Sequence, residues 1–307
     1  LPFARDLPRD ELGDWLSSRE QQWGGIEAED FAPLPLARGV LDPFDADAAN
    51  RELMPQGYVY SAGYGRYLKP IFFLGRLLRV EERAGFTVVV TSCEYARELA
   101  APPAMLQERT IFLRLESVRR YLWEKIEEWQ WRKQDNAMAR ALASYDFIAD
   151  TEAALARMAD NEAETMILHE IGEAMAGEQL GGRWREMVAS VARTRSEPLA
   201  RAVRDLLADC FSTLPELLAR ANLPALHFYF ATFDAPRRQL FPQALKAYEH
   251  FLRVGALDRL WHVVGEGKER WLAAARELLA LDPAARDTAL AELLEDAAAS
   301  AGAGSVR

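Results

Sequence analysis

The sequence predicts a mainly α-helical protein, a helical bundle around one long buried helix at about residues 151–180, with a small mixed α/β portion near the N-terminus. Three observations favour this class. Projected at about 100° per residue, residues 151–180 carry apolar side chains on two opposite sides, and a helix of that kind is buried. From about residue 109 onwards the apolar spacing is helical over most of the chain. Residues 51–100 hold most of the aromatic and β-branched side chains, which favour strands.

The first predicted region, residues 1–108, is the mixed α/β portion packed on the bundle. Residues 9–22 have the spacing of an amphipathic helix. Residues 86–92 and, more weakly, residues 58–61 are rich in β-branched and aromatic side chains and predict strands. The apolar run at residues 70–80 fits a strand or a short helix.

The second predicted region, residues 109–298, is the helical bundle, and residues 299–307 form a small, polar, disordered tail. Gly181 and Gly182 are a stop signal for the central helix. Residues 225–233, ALHFYFATF, fit a strand or an extended wall segment. Helices are predicted at residues 111–131, 137–148, 151–180, 184–192, 197–211, 242–254, 256–264, 267–280 and 283–298, with a further helix starting at residue 213.

Charge and cysteine content narrow the function classes. The chain has 47 acidic and 37 basic side chains and a net charge of −10, which argues against a nucleic-acid or an anionic-membrane partner. Its two cysteines, Cys93 and Cys210, exclude a disulfide framework and a cysteine-based zinc site and suit a reducing cytosol. No apolar run approaches the roughly 18 residues of a membrane span. We therefore expect a cytoplasmic protein, and the oligomeric state is left open.

Four ionisable side chains lie on or beside the apolar stripe of the predicted central helix. Glu162, His169 and Glu173 fall on the stripe, and Glu170 lies at its edge. Because His169 and Glu173 are four residues apart, their side chains can meet at one ion. An unpaired buried carboxylate is costly. These groups therefore predict either a metal or catalytic site, or a buried salt-bridge network without a metal. In that network the carboxylates are neutralised by Arg119, Arg120, Arg201 and Arg204.

The segment LHEIGEA, residues 168–174, resembles two metal-binding signatures. In zincin metallopeptidases a helix carries His-Glu-x-x-His, with both histidines on zinc and the glutamate activating water. Here His169 and Glu170 match, and Glu173 replaces the second histidine. The segment is also similar to the apolar-apolar-His-Asp-Ile-Gly phrase of the all-helical HD-domain phosphohydrolases, with Glu170 in place of the aspartate and no histidine upstream. Both resemblances imply Glu170 as a base or a ligand.

Further carboxylates on neighbouring predicted helices can complete an oxygen-rich coordination sphere. Asp205 and Asp209 are four residues apart on one side of a helix, flanking its apolar face. The alternative for Asp205 is a surface pair with Arg201, four residues before it. Glu116 follows the apolar run FLRL and is a further ligand or a partner of one.

We predict a metal-dependent enzyme whose leading reaction is hydrolysis of a small molecule, with Glu170 as the base or a bridging ligand. One alternative is a di-iron or di-manganese carboxylate oxidoreductase with two ions about 3.5–4 Å apart. The other is a non-catalytic helical interaction protein whose buried charges only stabilise packing. The predicted ligands of the divalent transition metal (Zn, Fe or Mn) are His169, Glu173, Asp205, Asp209, Glu162 and Glu116.

Overall fold

A computed structural model describes residues 8–26, 29–30, 32–37, 39–64, 70–98, 101–191, 194 and 196–303. Most of the N-terminal half is a five-stranded sheet made of β3 (Tyr58–Tyr64), β4 (Pro70–Arg83), β5 (Phe86–Arg97), β6 (Ala104–Gln107) and β7 (Thr110–Arg114). The strand order is β3-β4-β5-β7-β6. Neighbouring strands are antiparallel except β5 and β7, which run parallel. Before the sheet lie α1 (Arg9–Ile26), the strand pair β1 (Leu34–Leu36) and β2 (Gly39–Leu41), and α2 (Ala46–Leu53).

The second half of the described chain is helical. Its helices are α3 (Leu115–Gln130), α4 (Ala137–Leu142), α5 (Thr151–Leu180), α6 (Arg183–Ser190), α7 (Glu197–Ala208), α8 (Leu214–Ala219), α9 (Leu223–Ala231), α10 (Ala235–Leu240), α11 (Pro242–Val254), α12 (Asp258–Ala280) and α13 (Pro283–Ala303). One turn of π-helix, Asp209–Thr213, joins α7 to α8. None of the described helices combines the length and apolarity needed to cross a bilayer. Of the predicted disordered tail, residues 304–307 lie outside the described residues.

The predicted fold class, a helical bundle with only a small mixed portion, is wrong, because a five-stranded sheet packs on the central helix and makes the protein mixed α/β. The error arises mainly at residues 111–114, the start of the helix predicted at residues 111–131, which belong to β7. Short apolar runs of this length cannot be assigned to a buried strand or a helix by periodicity. The predicted strand at residues 86–92 belongs to β5. The run at residues 70–80, for which a strand and a short helix were both possible, belongs to β4.

Other predicted elements differ from the structure for local reasons. Residues 225–233 are not extended but belong largely to α9, because the side chain of Asn222 accepts a hydrogen bond from the amide of Ala225 and Pro224 occupies the first turn. α8 begins at Leu214, one residue after the predicted start, but Thr213 makes no capping hydrogen bond because the π-helical turn continues directly into this helix. The two helices predicted at residues 256–264 and 267–280 form the single helix α12.

The sheet positions the central helix through an apolar core. Val88 and Val90 of β5 and Leu113 of β7 belong to one cluster with Leu122 of α3 and Met158 of α5, all of them buried. A second core, with Trp271 of α12 at zero exposure, lies among the C-terminal helices. Helix α5 contributes side chains to both cores, along most of its length to the first and through Ala176 and Leu180 to the second.

Helices α5 and α7 approach each other closely at Gly172. A Cβ atom added to Gly172 would collide with the backbone of Ala208, the last residue of α7. Backbone atoms cannot move aside as the end of a flexible side chain can, so only glycine permits this helix crossing. The crossing brings the segment around His169 and Glu173 onto the segment around Asp205 and Asp209.

We expect Gly172→Ala to destabilise the protein by about 1–3 kcal/mol, because the added methyl group forces α5 and α7 apart. This net estimate already allows for the stabilisation of up to about 1 kcal/mol that alanine brings to a helix interior relative to glycine. The free energy of unfolding from urea denaturation measures the change.

Gly177→Ala is the matched control, because Gly177 lies on the same helix and a Cβ atom added there meets nothing within 4 Å. It should leave the stability unchanged or raise it slightly through helix propensity. Equal stability of the two variants would contradict the close approach at Gly172.

Candidate metal centre

Three of the predicted ligands converge between α5 and α7. One ligand atom from each of His169, Glu173 and Asp205 lies within 4.8 Å of the other two. His169 and Glu173 are one helical turn apart on α5, with His169 Nε2 at 3.5 Å from Glu173 Oε1. Asp205 enters from α7. These three residues are called the triad below.

Asp209, the first residue of the π-helical turn, holds the imidazole of His169 from the other side. Its Oδ1 lies 2.8 Å from His169 Nδ1, and its Oδ2 accepts hydrogen bonds from the Tyr229 hydroxyl (2.8 Å) and from Arg237 Nη1 (3.2 Å). Burial alone would raise the pKa of Asp209, but the charges of His169 and Arg237 outweigh burial and lower it. Asp209 therefore orients His169, but it is not one of the three residues of the triad.

The pKa of His169 depends on its two carboxylate neighbours, Asp209 and Glu173. Burial lowers the pKa of the imidazole, yet the carboxylates of Asp209 and Glu173 outweigh burial and raise it well above 6.5. His169 is half-buried and lies between the carboxylates of Asp209 and Glu173.

Arg204 supplies a second cation at the triad. Its Nη2 lies 2.7 Å from Glu173 Oε1 and 3.3 Å from Asp205 Oδ1. Burial raises the pKa of Asp205 even though Arg204 opposes that effect. The two carboxylates of the triad therefore share one guanidinium group as their counter-ion.

Glu170 lies beside the triad and borders two cavities. Burial, followed by the negative charge of Glu173, raises its pKa to about 7. One cavity, called the inner cavity, has a volume of about 260 Å³. The other, called the distal cleft, has a volume of about 900 Å³ and also reaches Glu173 and Arg204. The residues lining the inner cavity are Pro103, Ala104, Tyr121, Glu162, Thr165, Met166, His169, Glu170, Asp209, Thr213, Phe228, Tyr229, Thr232 and Arg237.

The remaining predicted ligands, Glu162 and Glu116, lie outside the triad. Glu162 precedes His169 by two helical turns, about 10 Å along the axis, and its side chain is buried in the wall of the inner cavity. Glu116 lies in the first turn of α3, where its Oε2 accepts a hydrogen bond from the backbone amide of Glu94 at 2.7 Å. Glu116 therefore ties α3 to β5.

The sequence did not reveal two members of this network, Tyr229 and Arg237. They follow Asp209 by 20 and 28 residues and reach it only because α9 and α10 fold back onto the π-helical turn. The aromatic run at residues 225–233 contained Tyr229, but no spacing rule connects it to Asp209. Of the four arginines predicted to neutralise Glu162, Glu170 and Glu173, Arg204 pairs with Glu173. The other three, Arg119, Arg120 and Arg201, pair instead with Glu152, Glu124 and Glu197.

Two models of one protein family match the chain. The model for the N-terminal domain of DUF6866, a family of unknown function, matches residues 1–114, and the model for the C-terminal domain of that family matches residues 119–300. β7 ends at the division between the two models. Neither the curated proteins nor the solved structures include a match to the chain.

We expect Glu162→Gln to stabilise the protein at high pH. Burial raises the pKa of Glu162 well above 4.5, so the folded state holds this proton more tightly than the unfolded state. Ionisation therefore destabilises the wild type as pH rises above about 4.5, by about 1.4 kcal/mol per pH unit until the folded-state pKa is reached. Glutamine never ionises, and its advantage should be small near pH 5 and large at pH 8.

The measurement is urea denaturation of both proteins at pH 5 and pH 8. Glu152→Gln is the control, because Glu152 is an exposed glutamate on the same helix, paired with Arg119. A stability difference between wild type and Glu162→Gln that stays constant with pH would contradict the buried environment of Glu162.

Proposed function

The chain belongs to the DUF6866 family, whose function is unknown, and we propose from its own site that it is a metal-dependent hydrolase with one divalent transition-metal ion at the triad. The observation that carries the proposal is the convergence of one imidazole nitrogen and two carboxylate oxygens, all within 4.8 Å of one another. This donor set suits Zn, Fe or Mn.

The orientation of His169 supports this proposal. A metal-binding histidine usually makes a hydrogen bond from its other ring nitrogen to a carboxylate or a carbonyl group. Asp209 holds Nδ1 of His169 in this way, and Nε2 faces Glu173. The imidazole is thus oriented by the protein before any ion arrives.

The position of Arg204 is compatible with an exchange of cations. Arg204 neutralises Glu173 and Asp205 in the structure, and its side chain also borders the distal cleft. A divalent ion at the triad would take over the role of counter-ion, and Arg204 would turn towards the distal cleft that it borders. Removing both cations would leave two half-buried carboxylates close together, which is costly.

Hydrolysis is the reaction class that this arrangement supports best. A divalent ion at the triad would polarise a substrate oxygen and lower the pKa of a water molecule. Glu170 borders both cavities beside the triad and can accept a proton from a molecule in either of them. Asp209 keeps His169 in place, and Arg237 keeps Asp209 in place.

The alternative with two metal ions has less support. It requires Glu116 as an additional ligand, but Glu116 lies in the first turn of α3 and accepts a hydrogen bond from the backbone amide of Glu94. The non-catalytic alternative is supported by Arg204 and Arg237, which already neutralise the carboxylates around His169. Metal analysis separates this alternative from the proposed hydrolase.

We expect the wild-type protein, purified without a His-tag or a chelator, to carry about one equivalent of a transition metal in elemental analysis. Glu173→Gln and Asp205→Asn should each lose the metal, because each removes a charged ligand of the triad while keeping the shape of the side chain. Glu170→Gln should retain it, because Glu170 is not a ligand in this proposal. Titration of the metal-free protein with Zn²⁺ and Mn²⁺ provides the affinities.

Glu152→Gln is again the matched control and should retain the metal. If the wild type contains no metal and binds neither ion on titration, the hydrolase proposal fails. The triad is then a buried ion-pair network between α5 and α7.

A further inference from the structure

The inner cavity contains buried polar atoms that lack a partner. Glu162 is 1 % exposed, and its Oε1 makes no hydrogen bond to any described residue. The hydroxyl of Thr213, in the wall of the same cavity, is also buried and without a hydrogen bond among the described residues. Buried carboxylate oxygens without a donor are rare in folded proteins, because each costs about 1–3 kcal/mol or more. A ligand that donates hydrogen bonds would remove this cost.

The charges around the inner cavity favour a cation. Among the ionisable groups lining it, Arg237 and His169 are already paired with Asp209. The carboxyl groups that remain are those of Glu162 and Glu170. Burial favours the protonated form of Glu162, and a cation in the cavity would favour the carboxylate, whose Oε1 still lacks a donor among the described residues.

Aromatic rings stand beside Glu162 in the same wall. Tyr121 and Phe228 pack edge to face, with ring centroids 6.3 Å apart and an interplanar angle of 89°. Both rings line the inner cavity together with Glu162. Aromatic faces attract ammonium groups through the ring quadrupole, and the attraction is strongest where water is excluded. Rings and a buried carboxylate together are a suitable environment for a desolvated organic ammonium group.

A larger cleft lies next to this environment. A second and larger cavity of about 1000 Å³, called the outer cleft, shares Tyr121, Thr232 and Arg237 with the inner cavity. Its wall includes Lys125 and Trp129. A ligand can therefore place its head in the inner cavity and its remaining atoms in the outer cleft.

We propose that the inner cavity binds a small organic ammonium ion, with Glu162 as its counter-ion and with Tyr121 and Phe228 as aromatic walls. As a statement about the substrate class of the hydrolase, this inference depends on the proposed function. As a statement about binding, it does not involve the metal ion, because Glu162 lies two turns from His169 and outside the triad.

We expect n-butylammonium chloride to bind the full chain in isothermal titration calorimetry with EDTA present. Butanol and butyrate have similar carbon chains but no positive charge, and they should bind at least about ten-fold more weakly. Glu162→Gln should weaken binding of n-butylammonium by about ten-fold or more, because the isosteric amide removes the counter-ion. The same variant is expected to be more stable than the wild type at pH 8, so a loss of binding there does not reflect unfolding.

Glu152→Gln is the control and should bind n-butylammonium as the wild type does. The proposal is overturned if the wild type does not bind n-butylammonium, if Glu162→Gln binds it equally well, or if butyrate binds more tightly. The last result would identify an anion site at Arg237. Ammonium binding by a protein that takes up no metal supports this proposal and rejects the hydrolase, whereas metal uptake without ammonium binding rejects only this proposal.

Discussion

The close approach of α5 and α7 at Gly172 determines the geometry of the candidate site. Two helices normally pack about 8–10 Å apart because their side chains lie between them. At Gly172 there is no side chain, and the backbone of Ala208 occupies that space. As a result His169 and Glu173 on one helix reach Asp205 and Asp209 on the other. An ion or an ion-pair network between these residues depends on one missing methyl group.

Bringing these charges together is unfavourable unless each one has an oppositely charged or hydrogen-bonding partner. The structure supplies such partners from several helices. Asp209 is buried and is satisfied by His169, Tyr229 and Arg237, which come from three different helices. Glu173 shares Arg204 with Asp205. Each of these charges therefore has a partner of opposite sign, which offsets the cost of removing it from water. Glu162 is the exception, since burial is not offset there by a partner for Oε1.

Local signals in the sequence were sufficient for the central helix and for part of the site. The bounds of α5 agree with residues 151–180, because the apolar spacing is continuous and Asp150 and Gly181 mark its two ends. The pairing of His169 with Glu173 follows from their separation of four residues. The sheet could not be predicted in the same way, since β7 pairs with β5 across 22 residues or more and its short apolar sequence also suits a helix. Tyr229 and Arg237 were missed for the same reason, because only tertiary folding brings them to Asp209.

Glu170 forms a boundary between the inner cavity and the distal cleft. If the proposed hydrolysis takes place beside this residue, one fragment could lie in the inner cavity and the other in the distal cleft. Each fragment could then depart without passing the other, and a second substrate molecule could enter on one side while the first product still occupied the other. The order of product release would then depend on the shapes of these two cavities and not on a single shared exit.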